Sequence, residues 1–330
     1  IALRKISSRR IEPDEHFFLD SIGRARDYRT RRYGTLPECV RLVWSESDRL
    51  PGLVVDRYGQ ALVLQTLTAG MDRLKPVIAR VLQKLFQPDL IVERNDTPVR
   101  QVEGLASAVG ILTGSGPTVR AVRFGNLAWD VDLLSGQKTG AYLDQQANHA
   151  RVGRLLPGRR VLDCFTCEGA FALHAAQAGA AEVEGVDLSA SAIERAAVHV
   201  ARNGLQACFE TENAFDRLTR YARQKRVFDA VILDPPSFTR TRARLPDALR
   251  GYKDLHLKAF QILAPGGFLA TFCCSHHVDR DTFLETLAAA ATDARRFARL
   301  VEACPPAPDH PVVPMIPETE YLKGFVLEVE

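Results

Sequence analysis

No stretch of this 330-residue chain runs to about 18 consecutive apolar residues, and the opening Leu3-Arg4-Lys5-Ile6-Ser7 lacks the apolar core of a secretory signal. These two absences predict a cytoplasmic protein with no membrane partner. Seven cysteines are too few for a disulfide scaffold in a chain of this length, and the odd number leaves at least one thiol unpaired. Disordered and collagen-like classes are excluded, because 46% hydrophobic and 25% charged residues is an ordinary globular composition. Strong charge of one sign is also missing: the formal net charge is only +3. What excess there is lies at the start, where residues 1–33 hold nine Lys/Arg, Arg29, Arg31 and Arg32 among them, against five acids. Such a run serves either as a solvated helix face or as an edge for nucleic-acid phosphates.

The pattern of apolar residues changes twice along the chain. It predicts a strand over residues 3–11 and a helix over 13–33 with Pro13 near its first turn. Period-two alternation then predicts three antiparallel strands between residues 40 and 68, a helix over 74–86, a strand at 90–92 and a hairpin of 118–124 with 127–133 across Gly125-Asn126. We expect an entry segment over residues 1–35 and a small α+β domain over 36–135. From 136 the rhythm becomes strand and helix in turn. Strands are predicted at 160–163, 183–187, 209–212, 228–234, 267–274 and 322–329, with helices at 141–155, 170–179, 190–203, 216–224, 252–263 and 281–291. That is the signature of an α/β domain over 136–330, a mostly parallel doubly wound sheet with helices on both faces.

Ligands on such sheets bind outside the carboxyl ends of the strands. Four of these ends are polar. Residues 161–171 read as a strand ending in Asp163, a turn through Gly169 and an apolar helix, so backbone can approach a ligand there and the helix offers N–H groups to an anion. Asp187 ends the next strand, 18 residues beyond Gly169, where an acid can accept from ribose hydroxyls. Asn213 follows, able to meet an adenine edge, and Asp234 stands before two prolines that fix the backbone at the rim. Any one of them could be an Asx turn or a helix cap; four in register along successive strands point to a nucleoside site. The Gly-x-Gly-x-x-Gly turn that admits a pyrophosphate is absent, with Cys164, Thr166 and Glu168 in its place. A nucleoside joined to an amino acid, as in S-adenosylmethionine, fits better.

Gly136-Gln137-Lys138-Thr139-Gly140-Ala141-Tyr142-Leu143-Asp144-Gln145, the loop 161–171, Asp234-Pro235-Pro236-Ser237-Phe238, Gly251-Tyr252-Lys253-Asp254 and Tyr321-Leu322-Lys323-Gly324-Phe325 together resemble the bacterial large-subunit ribosomal-RNA 5-methylcytosine methyltransferases. The resemblance covers nearly the whole chain. It implies a Rossmann-like class I methyltransferase domain after a small central domain, with most of the family's N-terminal RNA-binding PUA domain missing here. The basic segment would then substitute in RNA docking, and a homodimer would be another way to make up for the missing module. The implied cofactor is S-adenosylmethionine, held by Asp163, Phe165, Thr166, Gly169, Ala170, Phe171, Asp187, Leu188, Asn213, Ala214 and Asp234, with Tyr142 and Gln145. The implied partner is ribosomal RNA, met by Lys138, Pro235, Pro236, Ser237, Phe238 and Lys253 together with Arg29, Arg31 and Arg32.

The family's Cys-Ser pattern falls on Cys274-Ser275 and implies Cys274 as nucleophile, with Cys273 pointing the other way along the strand. Carbon 5 of cytosine is a poor nucleophile, so a thiolate must first add to carbon 6. Asp234 would hold the base's N3 and amine edge. Two positions depart from the family: Ser237 stands where Lys is usual, removing a cation, and Asn213 where Asp is usual, so an adenine amine would rest on an amide oxygen. Cys164-x-x-Cys167 has redox or half-zinc spacing but no second pair, so no metal is expected. Cys39, Cys208 and Cys304 read as apolar fillers. Two other readings stand beside this one: methylation of a guanine exocyclic amine, in which Cys274 is idle, and a catalytically silent RNA-binding assembly factor.

Overall fold

Asp14, Thr68, Ser189, Asn213 and Asp279 each accept a backbone N–H of the turn that follows, which fixes the start of five helices. The computed structural model describes residues 4–8, 10–239 and 241–330. The chain forms two compact units, Ile1–Gln146 with Ala307–Thr319, and Ala147–Pro306 with Glu320–Glu330.

In the first unit, α1 (Glu15–Tyr33) precedes β1 (Cys39–Trp44), β2 (Leu53–Tyr58) and β3 (Ala61–Thr66). Next come α2 (Ala69–Phe86), β4 (Leu90–Asn95), α3 (Val99–Val102), β5 (Ala108–Gly114), β6 (Val119–Phe124) and β7 (Leu127–Asp132). The sheet order is β1-β2-β3-β4-β5, antiparallel except where α2 carries the chain across to lay β4 parallel to β3. β6 and β7 form the hairpin expected across Gly125-Asn126. Phe18 and Ile22 of α1 and Ile78 and Leu82 of α2 close over Val40, Leu42, Val55, Leu62 and Ile91 in one apolar cluster. Residues 1–35 are thus no separate entry segment: α1 is core. Three further expectations change. The described residues of 4–11 form no strand, Leu3 and Arg9 lying outside the described residues. β5 was not foreseen. Residues 136–146, read as the start of the α/β domain, belong to this unit, as do residues 307–319.

The second unit runs α4 (Gln146–Gly153), β8 (Arg160–Cys164), α5 (Ala170–Gln177), β9 (Glu182–Asp187), α6 (Ala190–Arg202) and β10 (Cys208–Thr211). It continues with α7 (Ala214–Gln224), β11 (Phe228–Leu233), α8 (Leu245–Ile262), β12 (Leu263–Cys273), α9 (Arg280–Asp293), β13 (Ala298–Ala303) and β14 (Lys323–Val329). The order is β10-β9-β8-β11-β12-β14-β13; the first five strands are parallel and β14 runs antiparallel between β12 and β13. The strand order reverses at β8, which puts a crevice outside its carboxyl end. Side chains alternate between two apolar layers: Leu162, Val231, Leu233, Leu269 and Cys273 face one, and Val161, Ala230, Ile232, Ala270 and Phe272 the other. The expected helix at 141–155 is replaced by a short 3-10 turn, Leu143–Gln145, and α4. β13 was missed by the sequence pattern, and Cys208, expected as a filler, is exposed.

Candidate active site

The loop after β8 is shaped by three residues with positive φ, Phe165, Cys167 and Gly169 at 64°, 51° and 86°. Gly169 has a second reason to be glycine: an added Cβ would lie 2.9 Å from Leu173 and 3.1 Å from Ala196 and Phe209. The turn is pinned at both ends. Thr166 donates its N–H to the Val186 carbonyl of β9 at 3.0 Å, and the Cys167 N–H is accepted by Asp187 Oδ2 at 3.0 Å.

Asp163 is the central acid. It is 1% exposed, and its Oδ2 accepts from the Thr166 hydroxyl at 2.6 Å and the Ala172 N–H at 3.1 Å. Its other oxygen, Oδ1, is buried with no hydrogen-bond partner among the described residues. Leaving such an atom unmatched costs on the order of 1–3 kcal/mol, which a ligand donor would relieve. Burial pushes this carboxyl up to about 7; the charges of Asp234 and Asp187 add to the rise, while the bonds from Thr166 and Ala172 oppose it. Three carboxylates therefore feel one another at adjoining strand ends, a field that favours a cationic ligand.

Asp187 accepts from the N–H groups of Cys167 and Ser189, one on each oxygen, and keeps lone pairs for hydroxyls. Leu188 beside it is 68% exposed, an apolar side chain turned to solvent at the end of β9. Three expected contacts are altered. The amide oxygen of Asn213 caps α7 on the Phe215 N–H at 2.8 Å, so it is already engaged and an adenine amine would have to share it. Ala214 is buried in the apolar layer beneath α7. Phe171 is buried against His149 and Phe272, at 4.5 and 5.0 Å between rings, and supports the loop from below. Ala170 is half-buried and its carbonyl meets His174 Nδ1 at 2.8 Å.

On the other side of the switch point, Asp234-Pro235-Pro236-Ser237-Phe238 follows β11. Asp234 is half-buried, Pro235 buried, Pro236 and Ser237 exposed. A run of rings ties this loop to the loop after β8 and to α7 and α8: Phe165 to Phe215 at 6.3 Å, Phe215 to Phe238 at 6.1 Å, Phe238 to Tyr252 at 4.5 Å. Cys273 and Cys274 point to opposite faces of β12, as alternation requires. Cys273 is fully buried, whereas half-buried Cys274 brings its Sγ to 4.0 Å from the Pro235 carbonyl oxygen. Burial pushes the loop thiols up, Cys167 to about 12, so Cys164 and Cys167 hold their protons and make a poor redox pair.

The expected RNA contacts scatter. Arg29 is corrected outright. Its side chain is wholly buried in the first unit, donating to Asp48 at 2.5 Å and to the Arg41 and Asp309 carbonyls at 2.9 Å each. At about 100° per residue Arg31 lies on the opposite side of α1 from Arg29, and Arg31 and Arg32 at the end of the helix are both exposed. Lys138 and Tyr142 are exposed in the first unit, with the ammonium 5.7 Å from the ring, and Gln145 is buried there. Lys253 pairs with Asp293 at 2.7 Å on the surface of the second unit. The sequence reading passed over Phe209 and Phe215, ordinary core letters in one dimension. It also passed over Arg242 and Arg244, exposed just beyond Phe238, although their alternation was there to be read.

A family model described as S-adenosylmethionine-dependent methyltransferase matches residues 100–317. The protein named ribosomal RNA large subunit methyltransferase I in Shewanella amazonensis is 41% identical over 323 residues, covering 96% of this chain and 81% of the relative. Its namesake in Tolumonas auensis is 41% identical over 320 residues, with 95% and 81% covered. Among solved structures, one from Streptococcus mutans assigned as a SAM-dependent methyltransferase superposes with a TM-score of 0.85 at 20% identity, over 98% of this chain and 84% of that one. At that identity the likeness concerns the fold.

Proposed function

The chain belongs to the S-adenosylmethionine-dependent methyltransferases, in the large-subunit ribosomal RNA branch, and from that premise we propose that it methylates carbon 5 of a cytosine through a covalent adduct on Cys274. The observation that supports this most is the approach of the Cys274 thiol to the Asp-Pro-Pro loop, 4.0 Å from the Pro235 carbonyl, while its neighbour Cys273 is turned into the core. An idle cysteine has no need of that position.

The residues present fit the cofactor. The unmatched Oδ1 of Asp163 would take the ammonium of its amino-acid end, Asp187 would accept from the ribose hydroxyls, and Leu188 would give an apolar surface for the adenine. When bound, S-adenosylmethionine supplies an electrophilic methyl group. Asp234 holds the N3 and amine edge of the cytosine. The Cys274 thiolate adds to carbon 6, and the displaced electron pair makes carbon 5 nucleophilic enough to take the methyl group. A base then removes the carbon 5 proton, the ring double bond re-forms, and the carbon–sulfur bond breaks to release the thiolate.

RNA carrying 5-fluorocytosine tests this directly. Fluorine cannot leave as the proton does, so a complex stable in denaturing gels should accumulate, and only with the cofactor present. Methylation of ordinary RNA with no trapped complex would sink the covalent reading and favour an exocyclic amine as target.

The raised Asp163 carboxyl gives a pH dependence. Only the ionised form receives an ammonium, so cofactor affinity should rise with pH up to about 7 and level off above it. Binding at about pH 6 should be roughly tenfold weaker than at the plateau. Titration calorimetry between about pH 5.5 and 7.5 measures the slope, and Asp163→Asn should bind weakly with the slope gone.

A further inference from the structure

Two of the stretches that carried the resemblance have no part in the chemistry above, Gly251-Tyr252-Lys253-Asp254 in α8 and Tyr321-Leu322-Lys323-Gly324-Phe325 entering β14. Their polar groups meet at one residue. Ser275, directly after Cys274, is fully buried; its hydroxyl lies 3.1 Å from that of Tyr252 and 3.0 Å from that of Ser237. Its carbonyl accepts from Lys323 Nζ at 2.8 Å, and the same ammonium donates to the Tyr321 carbonyl at 2.9 Å. The antiparallel register sets Lys323 opposite Cys273 and Gly324 opposite Phe272. A Cβ on Gly324 would come within 2.5 Å of the Phe272 ring, so glycine is what lets β14 close on β12 here.

A lysine only 5% exposed is costly unless a charge or strong acceptors face it. Two carbonyls satisfy two of its three protons without neutralising it. The groups around it are few. Cys273 is its cross-strand partner on β12, its charge also reaches Cys274 just past the end of that strand, and Asp279 before α9 and Glu320 in the segment before β14 are the acids that act on it. Tyr252 on α8 faces the same two thiols, and burial pushes its phenol well up, so it stays neutral. The His276 ring lies 5.9 Å from that of Tyr321. Of the two thiols, Cys273 is sealed in the apolar layer and Cys274 opens toward the Asp234 loop.

We propose that Lys323 is a positioning residue for Cys274: its buried ammonium anchors the carbonyl that follows the nucleophile and supplies the positive charge that favours the thiolate. This rests on the reading of Cys274 as nucleophile. On ionisation the thiol proton passes to water and no other bond changes; a cation beside a cysteine shifts that equilibrium toward the reactive form.

Alkylation of the full chain by iodoacetamide between about pH 6 and 10, followed at the Cys274 peptide by mass spectrometry, tests it. The wild-type midpoint should lie below the ordinary thiol value of about 8.5. Lys323→Met should raise the midpoint by about one unit or more, lowering alkylation near neutral pH about tenfold. Tyr252→Phe, which removes a partner of Ser275 and keeps the cation, should leave the midpoint where it was. A wild-type midpoint at or above about 8.5 overturns the proposal, as does an unchanged midpoint in Lys323→Met. The wild-type arm needs no variant, so a Lys323→Met chain that fails to fold does not shelter it. The readout also needs no methyl transfer: a Cys274→Ala chain that still methylates would remove the covalent mechanism and leave the thiol result standing.

Discussion

Cys274→Ala should lower methyl transfer to ribosomal RNA by about four orders of magnitude or more, with cofactor affinity unchanged within about twofold. The size follows from the chemistry. Carbon 5 of cytosine becomes reactive only after addition at carbon 6, and no second cysteine is placed to replace the thiol, since Ser237 follows the prolines and Cys273 is turned into the core. The spared affinity follows from the geometry: the groups assigned to the cofactor lie on β8, β9 and the loops after them, and Cys274 is on the far side of β11. Single-turnover transfer of a labelled methyl group, beside titration calorimetry, separates the two quantities. Cys273→Ala should keep most of its turnover and lose only core packing. Retained turnover in Cys274→Ala, or equal losses in the two variants, would end the covalent mechanism.

Arg29→Ala should destabilise the first unit by about 3–5 kcal/mol, the range for breaking a buried charge network from one side. The guanidinium serves Asp48 and the carbonyls of Arg41 and Asp309 with no exposure to water. Its removal strands the Asp48 charge, 8% exposed, and leaves two carbonyls without that donor. Arg31→Ala, on the solvent face of the same helix, should change stability by less than about 0.5 kcal/mol and should instead weaken RNA binding at low salt. Denaturant unfolding followed by filter binding sorts the two. If Arg29→Ala unfolds like wild type, the network is not what holds α1 in place.

Much of the second unit was legible because its information is local. A strand buried on both faces must be apolar, a helix after it must cover the sheet, and a polar residue marks each junction; the place of Asp163, Asp187, Asn213 and Asp234 at the strand ends was readable on that ground alone. The failures are equally physical. β5 and β13 are edge strands: β5 alternates in burial but carries apolar Val109 and Ile111 on its exposed side, β13 is mostly exposed, and β13 forms by pairing with β14 from more than twenty residues away. Arg29 looked like its neighbours because a basic run says nothing about which member turns inward.

Fold class and cofactor class were determined by the sequence itself, and so was which of the two adjacent cysteines to propose as the reactive thiol. Those depend on residue type at fixed spacing, and the two-residue repeat of a strand already separates Cys273 from Cys274. Tertiary structure alone decided which charges are buried in networks and which are left at the strand ends. It buried Arg29, left one oxygen of Asp163 without a partner among the described residues, and brought Tyr252 and Lys323 to Ser275, the residue after Cys274, from 23 and 48 positions away. Charges act through distance and burial in space, and neither is a property of neighbouring letters in a chain.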